Sequence, residues 1–128
     1  MAEMSNYLEN ALINVTLRAT AYTAPAAVYV GLYTTDPTDA NTGTEVSGGS
    51  YARTAVTMGA PSDGVSTNSG AVTFPTATGT WGTVGWIGIL DASTSGNLLY
   101  HTPLTASKSI TAGDIFTIAI GNLSVTLG

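Results

Sequence analysis

The densest group of side chains able to do chemistry is the run Asp36-Pro37-Thr38-Asp39-Ala40-Asn41-Thr42-Gly43-Thr44-Glu45. Its carboxylates and amide oxygens are what a Ca²⁺ ion accepts in a flexible loop, but Asn41 and Gly43 stand at the wrong offsets for an EF-hand. Acidic residues in such a run also serve a turn by bonding their own backbone. A solvated turn is the expectation, and no metal site is assigned. His101 is the sole histidine and sits in the strand-like Leu98-Leu99-Tyr100-His101-Thr102. A catalytic base needs a nucleophile on one side and an orienting acid on the other. The sequence holds no G-x-S-x-G elbow to present a serine, so His101 reads as a structural or interface residue.

Glycoside cleavage would need two carboxylates about 5 to 9 Å apart in a cleft. Asp63, Asp91 and Asp114 each stand in turn-like contexts beside Gly, Ser or Ala, where a carboxylate is solvated and ordinary. Trp81 and Trp86 are an odd number of positions apart, which places them on opposite faces of a strand unless a bulge at Gly82 or Gly85 intervenes. One is then core, with Trp86 favoured, and the other, Trp81, is the candidate partner anchor. No catalytic residue and no cofactor are assigned.

These side chains must be positioned by a single domain, since the chain has 128 residues. One helix is predicted at its start. Ser5 is a suitable N-cap, and Leu8, Ala11, Leu12 and Val15 fall at i, i+3, i+4 and i+7. Glu9 and Arg18 lie near the ends of the helix dipole that suit their charges, and Pro25 rules out further helix. Beyond it the sequence reads as strands: 28–33, 84–90 and 115–120, with weaker runs at 53–58, 71–74, 98–104 and 123–127. Turn chemistry such as Ser47-Gly48-Gly49-Ser50 and Pro61-Ser62-Asp63-Gly64 separates them. The predicted fold class is mainly β, an antiparallel β-sandwich of jelly-roll type with one short N-terminal helix. The expected division is a helix and linker arm over 1–24 and a sandwich body over 25–128.

Composition narrows the function classes. Cysteine is absent, which removes disulfides, thiolate metal sites and cysteine nucleophiles. Only 9% of residues are charged, against about 25% in ordinary soluble domains. Over the roughly 6,300 Å² that a monomer of this mass exposes, that is about one charge per 570 Å², against about one per 200 Å² for ordinary composition. Such a surface is poorly defended against association, and a self-associating subunit is expected, most simply a homotrimer. The net charge is −5 and the three basic residues, Arg18, Arg53 and Lys108, are scattered, which argues against nucleic acid. No apolar run approaches the 18 residues of a membrane span, and the first residues lack the basic and apolar regions of a signal peptide.

Several segments together resemble a known family. They are Ser5-Asn6-Tyr7-Leu8-Glu9-Asn10, Val28-Tyr29-Val30-Gly31-Leu32-Tyr33-Thr34-Thr35-Asp36-Pro37-Thr38, Gly49-Ser50-Tyr51-Ala52-Arg53, and Val72-Thr73-Phe74-Pro75-Thr76-Ala77 followed by Trp81-Gly82-Thr83-Val84. With Gly96-Asn97-Leu98-Leu99-Tyr100 and Thr111-Ala112-Gly113-Asp114, they are similar in kind and order to a family of small tailed-bacteriophage virion proteins. Members are often labelled tail-fibre proteins, and related small β-domains serve as capsid cement or decoration proteins. The resemblance implies a virion component made in the host cytoplasm, without an active site. Capsid cement binding the major capsid protein is the first expectation, because the chain is compact and lacks the repeats of a shaft. A tail fibre or tip subunit is the alternative. Leu8, Leu12, Val15 and Arg18 of the helix, with Trp81 of the body, are the candidate partner contacts.

Overall fold

The computed structural model describes residues 2–127; Met1 and Gly128, the outermost positions of the two expected segments, lie outside the described residues. The chain begins with a two-residue strand, β1 (Glu3–Met4), which sequence periodicity cannot reveal. Helix α1 follows over Asn6–Leu17, about 18 Å long at 1.5 Å per residue. The Ser5 side chain accepts from the Leu8 N–H at 3.2 Å, the expected N-cap. It also donates to the Leu98 carbonyl, tying the helix start to the sheet. At the other end Ala19 takes a left-handed conformation, and the 20–23 segment turns back to line a groove with Tyr7, Asn10 and Asn14.

Eight further strands complete the fold: β2 (Val28–Tyr33), β3 (Thr54–Val56), β4 (Val65–Thr67), β5 (Val72–Thr73), β6 (Gly82–Leu90), β7 (Leu98–Ile110), β8 (Thr117–Ile118) and β9 (Ser124–Thr126). Five form one sheet in the order β1-β7-β6-β2-β3, and two ribbons pair β4 with β9 and β5 with β8. All the pairings are antiparallel, so the fold is mainly β, as predicted. Val30, Leu32, Val84, Ile87 and Ile89 of the sheet share one apolar core with Val72, Ile118 and Val125 of the ribbons and with Phe74, which follows β5. Phe74 meets Phe116 edge-on at 5.6 Å and Tyr51 in a stacked arrangement at 6.2 Å.

The opposite face of the sheet is also covered. Tyr33, Leu90 and Leu98 are buried there, and residues 44–46 fold back onto the end of β2 through Thr34 N–H to Thr44 O and Val46 N–H to Leu32 O, both 2.9 Å. The ring of Tyr33 lies on Gly88 closely enough that a Cβ there would stand 2.9 Å from it and 2.7 Å from Leu98 Cδ1. Glycine is therefore a packing requirement at that point of β6. The two tryptophans do take opposite faces, with a register shift between Val84 and Trp86, but their roles are exchanged. Trp81 is 4% exposed and donates from its indole nitrogen to Gly49 O at 2.9 Å, whereas Trp86 is half-buried.

Outside the core, buried Asn68 joins the two ribbons. Its amide donates to Gly70 O and Ala119 O, and its Oδ1 accepts from the Leu123 N–H at 2.9 Å. Total exposed area is 6866 Å², about a tenth above the surface scaling for this mass.

Candidate functional site

The five candidate partner residues separate into two groups. Leu8 is 6% exposed and sits at the root of α1, which packs against β7. Leu12 is half-buried and Arg18 exposed, while Val15 is 40% exposed. Ile13 and Leu17, absent from the predicted stripe, are 53% and 79% exposed. The helix is thus fastened at its first turn and presents apolar side chains along its distal half. Trp81 does not belong with them. Its ring is enclosed, with Tyr51 edge-on at 5.3 Å, and this corrects the expectation of a partner anchor. The segment expected as a leading arm is also rooted in the body, since Glu3 and Met4 pair with His101 and Tyr100.

The oxygen-rich loop after β2 does not gather its donors around one point. Asp36 Oδ1 accepts from the Thr38 N–H at 2.9 Å, the local turn bond expected of it. Asn41 Oδ1 accepts from the Tyr33 hydroxyl at 3.1 Å. Glu45 turns the other way, into a network. Its two oxygens accept from Arg53 Nη2 at 2.8 Å and Nε at 2.9 Å, and its Oε2 also accepts from the Tyr51 hydroxyl at 2.6 Å. That hydroxyl in turn accepts from the Leu32 N–H at 2.9 Å. Arg53 Nη1 reaches across to Ala92 O and Ser95 O at 2.9 and 2.7 Å. One guanidinium therefore holds three segments together, and only a bidentate, permanently charged fork can do this. A Cβ on Gly31 would lie 2.9 Å from Glu45 Oε2, so the network also depends on a bare backbone in β2.

The local electrostatics follow from this packing. Burial first, then the hydrogen bond to Glu45, hold the Tyr51 hydroxyl far above its ordinary range. Burial and the neighbouring Glu45 push Tyr33 up to about 12, and the bond to Glu45 raises Arg53 further.

The remaining acids of the loop meet His101. This ring is 5% exposed. Its Nε2 lies 2.8 Å from Asp39 Oδ1 and 4.0 Å from Glu3 Oε2, and its Nδ1 lies 3.9 Å from Asp36 Oδ1. A hydrolytic base needs a nucleophile at one nitrogen; here both nitrogens face carboxylates. Sequence reasoning treated Asp36, Asp39 and His101 separately and passed over Glu3, because the grouping depends on β1 pairing with β7. Asp91 and Asp114 are each occupied within their own turns, by Asn97 and by Thr111.

Among the described residues no helix is long and apolar enough to cross a membrane. No curated protein matches the sequence significantly. A family model described as podophage GP4 fiber I protein gp80 matches residues 3–126, from the paired strand β1 to the end of β9. The chain belongs to that family of phage virion structural proteins, in keeping with the resemblance read from its segments.

Proposed function

We propose that the protein is a non-enzymatic subunit of a phage fibre that joins a neighbouring virion protein through the distal half of α1. The observation that carries this reading is the match of a fibre family to nearly the whole chain. The helix supplies the means. Leu12, Ile13, Val15 and Leu17 leave apolar side chains exposed or half-exposed on the distal half of an element anchored at its start by Ser5, Asn6 and Leu8, and Arg18 follows with a charge. Contacts of a few hundred Å² at about 25 cal/mol per Å² are individually weak once ordering costs are subtracted. Self-association, most simply as a homotrimer, would make three such helices act together.

A second reading, capsid cement binding the major capsid protein, is favoured by one feature. The described residues form a compact body with an exposed apolar helix and no internal repeat, which suits a surface subunit reaching its neighbours. Copy number separates the two readings. Quantitative mass spectrometry of intact particles gives a handful of copies for a fibre and hundreds for cement. Val15→Asp with Leu17→Asp should leave a folded body that fails to join the particle; normal incorporation would end the helix proposal. Sedimentation of the isolated protein tests the trimer, and a monomer at high micromolar concentration contradicts it.

A further inference from the structure

We infer that Glu3, Asp39 and His101 form a binding site for a divalent transition-metal ion of the zinc class. One atom from each lies within 4.8 Å of the other two. With metal–ligand bonds of about 2.0 to 2.2 Å, tetrahedral ligands stand about 3.3 to 3.5 Å apart. The observed separations from His101 Nε2, 2.8 Å to Asp39 and 4.0 Å to Glu3, bracket that value. Small torsions of two exposed carboxylates would equalise them.

The backbone beneath the three groups is already fixed. Glu3 is the register partner of His101 in the sheet. The carbonyl of Asp39 accepts from the Asn6 N–H at 3.0 Å, and the Ser5 N–H donates to Leu99 O at 2.9 Å. The imidazole is buried, so its direction is set by packing, while both carboxylates remain free to close. Charge points the same way. Glu3, Asp36 and Asp39 have His101 as their ion-pair partner in every case among the described residues. Three carboxylates thus surround one imidazole that carries at most a single positive charge.

The donor set selects the ion. A nitrogen ligand with two carboxylates suits zinc-class metals, whereas Ca²⁺ and Mg²⁺ require cages of oxygen. Asp36 Oδ1 lies 3.9 Å from Nδ1, too far for a hydrogen bond. With a metal at Nε2 in place of the present 2.8 Å contact to Asp39, a torsion of Asp36 would bring it in as the outer carboxylate that receives the second ring N–H. Three protein ligands leave a fourth position for water. The bound ion would clip β1 and the loop after β2 to β7, three segments far apart in sequence.

The test uses tag-free, full-length protein stripped with chelator and then titrated with Zn²⁺ by calorimetry and with Co²⁺ by visible absorption. One equivalent of Zn²⁺ should bind, Co²⁺ should show the spectrum of a four-coordinate site, and Tm should rise by several degrees at a hundredfold excess over Kd. Binding should weaken on acidification, because the ligands must be deprotonated. The double variant Glu3→Gln/Asp39→Asn should keep the metal-free Tm and lose the binding, and Asp36→Asn should weaken it about 10- to 100-fold. Absence of stoichiometric binding, equal binding of Ca²⁺ or Mg²⁺, or undiminished binding by the double variant would each overturn the assignment.

Discussion

The loop between β2 and β3 is fastened to the sheet at two places, and the two fastenings use different chemistry. At one, Glu45 is matched by Arg53, whose side chain is 10% exposed, and Tyr51 uses the remaining hydrogen-bonding capacity. At the other, three carboxylates face a single histidine. A guanidinium cannot lose its proton and must keep its partner, whereas an imidazole can become neutral and does without one. The first fastening is therefore complete as a protein structure. The second is tolerated without further charge, and it leaves coordination capacity unused.

Breaking the first should cost most. Arg53→Ala leaves Glu45 part-buried without its cation and frees two backbone carbonyls, so a loss of about 3 kcal/mol is expected in urea unfolding. Alkali should act on the same region from the tyrosine side. The folded state holds Tyr33 at about 12 against an ordinary 10, so the unfolded chain releases its proton first. That stabilisation is present in full below pH 10 and is lost as pH rises toward 12, by about 2 to 3 kcal/mol. An ultraviolet titration should show Tyr33 and Tyr51 ionising only together with unfolding. Tyr51→Phe is milder. It leaves the Leu32 N–H without its acceptor and should cost about 1 to 2 kcal/mol. The smallest effect sharpens the contrast. In metal-free protein Asp39→Asn should change stability by less than about 0.5 kcal/mol, as expected of a half-exposed pair, measured by the same urea curves.

How far the sequence was legible depended on the kind of residue. The alternation of Val28–Tyr33 and the apolar run at 84–90 revealed two of the three inner strands, β2 and β6, because strands covered on both faces need apolar side chains at nearly every position. Ser5 revealed the helix start, since capping is local chemistry. By contrast β1 and β4 are two and three residues long, and partners distant in sequence create them. Strand β7 runs on to Ile110 through exposed Thr105–Ser109, where polar residues gave no signal. The run at 115–120 shrank to Thr117–Ile118, with Ile120 left 66% exposed. Which tryptophan was buried turned on the register shift beside Gly85, and the site at His101 turned on strand pairing; neither is written in spacing along the chain.

The bond from Ser5 to Leu98 spans 93 positions, which sets a timetable for the nascent chain. At about 5 to 20 residues per second, roughly 5 to 20 s pass between synthesis of the helix cap and arrival of the strand that receives it. A 12-residue helix is marginal by itself in water, so α1 waits as loose chain while β2 is being made and β6 has yet to appear. Docking of α1 and completion of the main sheet must await β7, which pairs with both β1 and β6. The earliest-made element can therefore take its final place only after one of the later strands has emerged.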